Sequence, residues 1–159
     1  MPDAQQETID YIALQRLQSH YADAVNRRAW TELGELFLPD APVRVDTVTN
    51  PAVDLMGPTA VGDFIGGAIE RFEFFEFAIL NLRIDLYPEG RADEARGRLF
   101  MCELRQERDN GRWSNAFGVY HDDFRKVEGR WSYSRRRYQS LARTGRAEVF
   151  PFPHHLAAD

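Results

Sequence analysis

Apolar residues recur three or four positions apart through the first part of the chain. Over residues 8–28 this spacing predicts an amphipathic helix with Thr8 as its N-terminal cap. The same period over residues 30–37 predicts a second helix, which Pro39 ends. A third helix is predicted after Gly57, because Pro58 is tolerated in a first helical turn and apolar residues at helical spacing follow it.

The remaining apolar residues alternate with polar ones and predict strands. Two short segments precede the third helix and four longer ones follow it: residues 43–48, 53–56, 78–86, 95–107, 114–125 and 131–142. Turn-forming pairs such as Asn110-Gly111 and Glu128-Gly129 separate the longer segments and indicate an antiparallel meander. Three helices followed by such a sheet predict an α+β fold.

The length of 159 residues fits a single domain. We predict that residues 1–142 form this domain and that residues 143–159 form a tail. The tail contains Pro151 and Pro153, so we expect it to be extended and not helical near them.

Composition narrows the class of protein. A hydrophobic fraction of 43% with 13% aromatic residues indicates a folded chain with a real core. A single cysteine, Cys102, argues against a disulfide framework and against a cysteine-rich metal site. The sequence has no apolar run long enough to span a membrane and no signal-peptide pattern at its start, so we expect a soluble cytoplasmic protein.

The basic residues are almost all arginine, with 19 arginines and one lysine, and the formal net charge is −5. A negative net charge argues against nucleic acid as a partner. The lysine, Lys126, precedes a turn, where we expect it to be solvated. Arg135 and Arg137 are expected to lie on one face of the last long strand and Arg136 on the other, either as solvated or paired side chains or as an anion-binding group.

Four segments carry a resemblance to a known family. They are residues 21–30 (YADAVNRRAW), 36–40 (LFLPD), 118–124 (GVYHDDF) and 129–133 (GRWSY). With the order of helices and strands from about residue 8 to residue 142, they resemble the SnoaL-like branch of the nuclear transport factor 2-like superfamily. The resemblance implies a cystatin-like α+β roll, in which a curved, mostly antiparallel sheet wraps around three helices as a cone.

The same resemblance implies a pocket at the wide end of the cone and association through the sheet. We therefore expect a homo-oligomer, either a dimer or a trimer. The superfamily includes lyases, isomerases and hydrolases as well as members that only bind a ligand or a partner, and the fold does not choose among them.

Within the superfamily the chain is most similar to the scytalone dehydratase and hexachlorocyclohexane dehydrochlorinase group. That group pairs an acid at the end of the first helix with a histidine at the start of the first long strand. By position these two residues fall on Asn26 and Phe77, neither of which can accept a proton near neutral pH. Two tyrosines that orient substrate in scytalone dehydratase fall on Val25 and Thr47.

His121 falls where scytalone dehydratase has a pocket asparagine. It lies two and four residues after Val119 and Phe117, so the three side chains point to the same face of the strand, and we expect that face to be the inner one. An imidazole there would serve as general acid or base. The alternative is a buried histidine that is hydrogen-bonded to the helices.

Other polar residues have two interpretations each. Asn26 would either orient a substrate or cap the first helix, and Tyr21 would either present its hydroxyl to the pocket or pack in the core. Glu103 and Arg105 share one face of a strand. A buried Glu103 would have a raised pKa suited to catalysis, whereas an ion pair on the outer face explains both residues equally well.

The four phenylalanines of residues 72–77 would wall a pocket, form an exposed patch or fill the core. The residues expected to contact a ligand are Phe75, Phe77, Thr47, Val119, Trp131 and Arg137. No metal site is expected, since His154 and His155 are adjacent in the tail and point apart. The sequence contains no glycine-rich phosphate loop, and we expect no cofactor.

Two functional hypotheses follow. In one, the protein binds a small hydrophobic, aromatic or polyketide-like molecule without converting it. In the other, it is a cofactor-free lyase or isomerase in which His121 moves a proton while Asn26 and Tyr21 orient the substrate. In that second case Arg135 or Arg137 would hold an anionic group.

Overall fold

The computed structural model describes residues 1–146 and 148–157. Two long helices and one short helix are present: α1 (Ala4–Arg27), α2 (Gly57–Ile69) and α3 (His154–Ala157). A 3₁₀ helix, Trp30–Glu35, stands where the second helix was predicted. None of the helices in the described ranges is both long and apolar enough to cross a membrane.

Helix α1 begins one turn earlier than predicted. Its cap is Asp3, whose side chain accepts a hydrogen bond from the backbone N–H of Gln6 at 2.8 Å, so the assignment of Thr8 as the cap was wrong. The helix ends at Arg28, which adopts a left-handed conformation. The buried face of the helix is formed mainly by Leu14, Leu17, Tyr21, Ala24 and Val25.

One mostly antiparallel sheet makes up the rest of the domain. Its strands are β1 (Pro42–Asp46), β2 (Val53–Met56), β3 (Phe72–Leu86), β4 (Glu94–Glu107), β5 (Trp113–Val127), β6 (Arg130–Arg143) and β7 (Glu148–Val149). Six of them lie in the order β2-β1-β6-β5-β4-β3, with β1 parallel to β6, and β7 pairs with β6. The curved sheet packs against the N-terminal helices, so the predicted α+β fold is confirmed.

Strand β3 includes the phenylalanine-rich segment that was expected to precede the sheet. Phe72 and Phe77 are buried, Phe74 is exposed and Phe75 is half-buried. The segment therefore supplies both the core and the surface. A β-bulge between Phe72 and Phe74 interrupts the alternation of the strand, which explains why these two residues differ in burial.

Lys126 is half-buried and ion-paired, contrary to the expectation of a solvated side chain. Its ammonium group lies 2.7 Å from Oδ1 of Asp10, which is buried on helix α1. The same carboxylate accepts hydrogen bonds from the Tyr87 hydroxyl at 2.7 Å and the Trp131 indole at 3.0 Å. Burial alone would raise the pKa of Asp10, but hydrogen bonds from Lys126, Trp131 and Tyr87 outweigh it and hold the pKa below its usual range.

The C-terminal segment folds back onto the sheet. Strand β7 pairs with Ala142 and Arg143 of β6. Helix α3 directly follows Pro153, so the expectation that no helix forms near the prolines was wrong. A proline immediately before a helix removes no helical hydrogen bond, which explains why it is tolerated there. Phe152, between the two elements, stacks on Phe100 with ring centroids 6.0 Å apart.

Candidate functional site

A cavity of about 510 Å³ lies between helix α2, strands β1 and β2, and the inner faces of β4, β5 and β6. Helix α2 contributes an apolar wall, because Val61, Phe64, Ile65 and Ala68 recur at helical spacing and share one face. Gly62 and Gly66 lie on the Trp30 side of the helix, where an added Cβ would stand 3.1–3.2 Å from that side chain. The close contact with Trp30 holds α2 in place beside the sheet.

Glu103 and Arg105 face this cavity from strand β4. They are two residues apart and so share one face of the strand. A guanidinium nitrogen of Arg105 lies 3.6 Å from a Glu103 carboxylate oxygen, which is an ion-pair distance but too long for a good hydrogen bond. Both residues thus belong to the inner face, which settles the choice that the sequence left open.

The electrostatic environment of Glu103 favours its protonated form. Burial raises the pKa of the Glu103 carboxyl, and the positive charges of Arg105, Arg143 and Arg71 lower it only in part. A carboxyl group whose pKa is raised in this way inside a cavity is a candidate for proton transfer.

Tyrosine and serine hydroxyls from β5 and β6 line the same cavity. The Tyr138 hydroxyl and Ser140 Oγ are hydrogen-bonded at 3.2 Å, and Arg143 donates to Ser140 Oγ at 3.1 Å. Burial raises the pKa of Tyr138 to about 12, and burial also raises the pKa of Tyr120. Both phenols therefore stay protonated at neutral pH and present O–H donors.

Arg136 also lines the cavity and is fully buried. Its guanidinium carbon lies 3.8 Å from the centroid of the Tyr120 ring and 4.1 Å from that of Tyr21. Its Nε is 3.2 Å from Oδ1 of Asp122, whose other oxygen accepts a hydrogen bond from Gln18 at 3.0 Å. The predicted opposition of Arg136 to Arg135 and Arg137 is thus correct, with Arg136 on the inner face.

Two of the predicted site residues line the cavity, namely Tyr21 and Thr47. Tyr21 is also a core residue, since its ring packs edge-on against Phe77 at 5.6 Å. The ring of Tyr21 therefore packs in the core, and the residue also borders the cavity.

His121 does not face the cavity, and the expected inward orientation was wrong. The residues of β5 that line the cavity are Ser114, Ala116 and Tyr120. The inward-facing residues of the strand are therefore the ones that alternate with His121. His121 and Arg137 lie together on the outer face, where Phe152 covers the imidazole with ring centroids 5.8 Å apart. Strand parity identified the residues that share a face but could not tell which face is inner, because the C-terminal segment makes both faces buried.

Asn26 neither caps α1 nor faces the cavity. Its side-chain amide forms two hydrogen bonds with the backbone of Phe77. Phe77 does not line the cavity; its ring packs in the core between Tyr21 and Tyr120. The two positions implied by the family resemblance are therefore adjacent in space. In this protein their contact is a pair of hydrogen bonds that joins helix α1 to strand β3.

Four other predicted ligand contacts also lie outside the cavity lining. Trp131 is held by its hydrogen bond to Asp10, and Phe75 stacks on the lining residue Phe72 at 6.1 Å. Val119 is fully buried within β5, in the alternate set that includes His121, and Arg137 lies beside His121. Sequence reasoning missed Tyr120, Tyr138 and Ser140. Tyr138 and Ser140 could have been found from their alternation with Arg136 along β6.

The residues of the described ranges offer no evident metal centre. Within residues 1–146 and 148–157, no three His, Cys, Asp or Glu side chains lie close enough together to hold a metal ion. Cys102 is buried, and burial raises the pKa of its thiol, so it is a poor nucleophile and ligand.

Comparison with known proteins supports the fold over almost the whole chain. A family model described as SnoaL-like domain matches residues 6–137. No curated protein matches the sequence.

Three solved structures have the same fold. A candidate scytalone dehydratase from Novosphingobium aromaticivorans DSM 12444 is 21% identical, with a TM-score of 0.77 over 95% of this chain and 98% of its own. The hexachlorocyclohexane dehydrochlorinase LinA-type3 from Novosphingobium barchaimii LL02 is 20% identical, with a TM-score of 0.77 over 94% and 100%. A nuclear transport factor 2-like protein with a cystatin-like fold from N. aromaticivorans is 16% identical, with a TM-score of 0.68 over 89% and 92%.

Proposed function

Because the chain belongs to the SnoaL-like domain family, we propose that it binds a small, largely apolar molecule in the cavity beside α2 and acts on it as a cofactor-independent lyase or isomerase. The observation that carries the proposal is the carboxyl group of Glu103, which lies half-buried in the cavity wall and has a raised pKa. The cavity volume of about 510 Å³ lies in the range of about 300–1,000 Å³ that small-molecule sites occupy.

Glu103 is the proton-transfer group in this proposal. In its ionised form the carboxylate takes a proton from a carbon atom of the substrate, and the electron pair of that C–H bond forms a double bond as a leaving group departs from the neighbouring atom. The hydroxyls of Tyr120 and Tyr138 are O–H donors on the same cavity and are suited to assist the leaving group. In an isomerase, the proton would return to another carbon.

The structural neighbours support elimination as the class of reaction. The names dehydratase and dehydrochlorinase denote enzymes that remove water or hydrogen chloride. The positions of the acid and histidine implied by the resemblance hold Asn26 and Phe77, which cannot move a proton. Glu103 is an ionisable group on the same inner surface, and His121 on the outer face is not part of the proposed mechanism.

The reaction can be tested with nitrobenzisoxazole, a flat aromatic probe for proton abstraction. A base takes the ring proton beside nitrogen, the N–O bond breaks, and a nitrile and a coloured phenolate form. We expect the wild-type protein to exceed Glu103→Gln by about 100-fold or more, the usual contribution of a general base. Glu76→Gln, an exposed change on β3, serves as the control and should retain the wild-type rate.

Equal rates for wild-type protein and Glu103→Gln would overturn the role of Glu103. A neutral fluorescent probe, N-phenylnaphthylamine, then tests binding alone. Its fluorescence should increase in the cavity. Ala116→Phe should abolish that increase, because Ala116 lines the cavity and is paired with Glu103 on the adjacent strand.

A noncatalytic binding protein is the second candidate function. The two non-ionisable residues Asn26 and Phe77 favour it, since neither side chain can act as an acid or base near neutral pH, and the Asn26 amide instead bonds the Phe77 backbone. Probe binding without any Glu103-dependent turnover is the result expected for this second function.

The homo-oligomer, a dimer or trimer, stays part of the proposal. Leu80 of β3 and Trp113 of β5 are each 59% exposed and are large apolar side chains on the sheet that an association could cover. Sedimentation of the purified protein would measure the subunit number.

A further inference from the structure

The cavity is basic although the protein as a whole is acidic. The chain has a formal net charge of −5, yet two glutamates and six arginines line the cavity. The arginines are Arg71, Arg105, Arg112, Arg136, Arg143 and Arg146. An excess of positive charge in a partly enclosed space attracts an anionic ligand.

Arg143 and Arg136 each have a carboxylate within 3.2 Å, whereas the carboxylate beside Arg105 is more distant. Arg143 donates to Glu148 at 2.7 Å. Arg136 is ion-paired with Asp122 at 3.2 Å; within the described residues no group accepts a hydrogen bond from its guanidinium nitrogens, but the rings of Tyr21 and Tyr120 cover the group. Arg105 lies 3.6 Å from Glu103, and it also makes a 3.5 Å donation to the backbone oxygen of Asn115. In the part of the chain that the structure describes, no group accepts a hydrogen bond from Arg105 Nε.

This weakly bonded guanidinium is also largely removed from water. The side chain of Arg105 is 12% exposed, and burial lowers the pKa of the group. Leaving donors of a buried cation unsatisfied is costly, which indicates that an oxyanion completes the site.

An aromatic ring lies beside the same cation. The guanidinium carbon of Arg105 lies 5.3 Å from the centroid of the Phe72 ring, and that of Arg71 lies 4.7 Å from it. Phe72 lines the cavity together with both arginines. The apolar wall of α2 and this cationic corner thus meet in one cavity.

We propose that the ligand is an amphipathic anion, with an apolar body against α2 and one carboxylate-type or sulfonate-type oxyanion bound by Arg105. The planar guanidinium offers parallel N–H donors that match the two oxygens of such a group. The inference rests on the proposed function, since it names the chemical class of molecule that the same cavity takes. Because a guanidinium nitrogen of Arg105 lies 3.6 Å from a Glu103 carboxylate oxygen, an anion bound there would hold the substrate beside the proton-transfer group.

Two fluorescent probes that differ in one charged group provide the test. Anilinonaphthalenesulfonate carries a sulfonate, and N-phenylnaphthylamine is its uncharged counterpart. We expect the wild-type protein to bind the sulfonate about tenfold or more tightly, as one charge-assisted contact would give. Arg105→Gln should remove that preference while leaving affinity for the neutral probe within about twofold.

Arg44→Gln is the matched control. Arg44 lies on β1 between the cavity residues Val43 and Val45, but its own side chain is exposed and paired with Asp54. This variant has the same change in charge and should keep the preference for the sulfonate. Ala116→Phe should abolish binding of both probes and so establishes that they occupy the cavity.

The outcomes separate the two proposals. If neither probe binds in the cavity, the proposed function fails. If both bind with equal affinity, or if Arg105→Gln keeps the full preference, the anion site is overturned and the proposed function stands. Arg105→Lys keeps the charge near Glu103 and should retain an intermediate preference, so the anion site can be tested even if Arg105→Gln does not fold.

Discussion

The side-chain amide of Asn26 forms two hydrogen bonds with the backbone of Phe77. Its oxygen accepts from the Phe77 N–H at 2.6 Å, and its nitrogen donates to the Phe77 carbonyl at 3.0 Å. Strand β3 is an edge strand, so these backbone groups have no neighbouring strand on that side. Asn26 therefore supplies from α1 the partners that a further strand would otherwise provide.

Replacing Asn26 with leucine should destabilise the protein. The change keeps the size of the side chain but leaves one donor and one acceptor of Phe77 without partners. We expect the free energy of unfolding in urea to fall by about 2 kcal/mol. Asn81→Leu, at an exposed position on the same strand, is the control and should change it by less than about 0.5 kcal/mol. Equal effects of the two changes would mean that the paired hydrogen bonds contribute nothing of their own.

The position of Arg105 should control the pH dependence of the proposed reaction. Burial raises the pKa of Glu103, and the nearby charge of Arg105 opposes that rise more than any other residue does. The reaction needs the ionised carboxylate, so the rate should increase with pH through this pKa. Arg105→Gln should therefore move the midpoint of the pH–rate profile with nitrobenzisoxazole to higher pH.

The matched change Arg44→Gln should leave that midpoint where the wild-type protein has it, since Arg44 points away from the cavity. A midpoint that stays fixed or moves to lower pH in Arg105→Gln would show that another group sets the profile.

Gly118 and Gly67 should respond in opposite directions to alanine. A Cβ at Gly118 would stand 2.1 Å from the ring of Tyr138, which lines the cavity, whereas one at Gly67 has nothing within 4 Å. Gly118→Ala should lower the free energy of unfolding by about 1–3 kcal/mol and weaken binding of N-phenylnaphthylamine, because the ring must shift into the cavity. Gly67→Ala should raise the free energy of unfolding by up to about 1 kcal/mol through helix propensity. Loss of probe affinity in the Gly67 variant as well would contradict this account.

The sequence predicted the fold well because each element has a simple period. The stripe of α1, the turns between the long strands and the shared face of Glu103 and Arg105 all follow from local spacing. The inner face of β5 could not be predicted, since Tyr120 and His121 are both buried, one by the core and the other by Phe152 from a distant segment. A contact between residues 51 positions apart, such as Asn26 with Phe77, leaves no periodic trace in the sequence.

His121 should make the protein less stable in mild acid. The imidazole is 5% exposed, and within residues 1–146 and 148–157 neither ring nitrogen has a hydrogen-bond partner. Burial, with the nearby charges of Arg137 and Arg98, lowers the pKa of His121 to about 4. An unfolded histidine titrates near 6.5, so between about pH 6.5 and pH 4 the unfolded state holds the additional proton and stability falls as pH falls.

The contribution of this histidine can be isolated with His121→Phe, which fills the same space and cannot be protonated. Measured by urea unfolding, the difference in stability between the two proteins should be constant above about pH 7. Toward pH 4 it should change by about 3 kcal/mol in favour of the variant, because only the wild-type protein loses stability through this proton. Phe152→Ala should reduce the wild-type effect, since it removes the ring that covers the imidazole and readmits water. A difference between wild-type protein and His121→Phe that does not vary with pH would mean that the histidine is as easily protonated in the folded state as in the unfolded one.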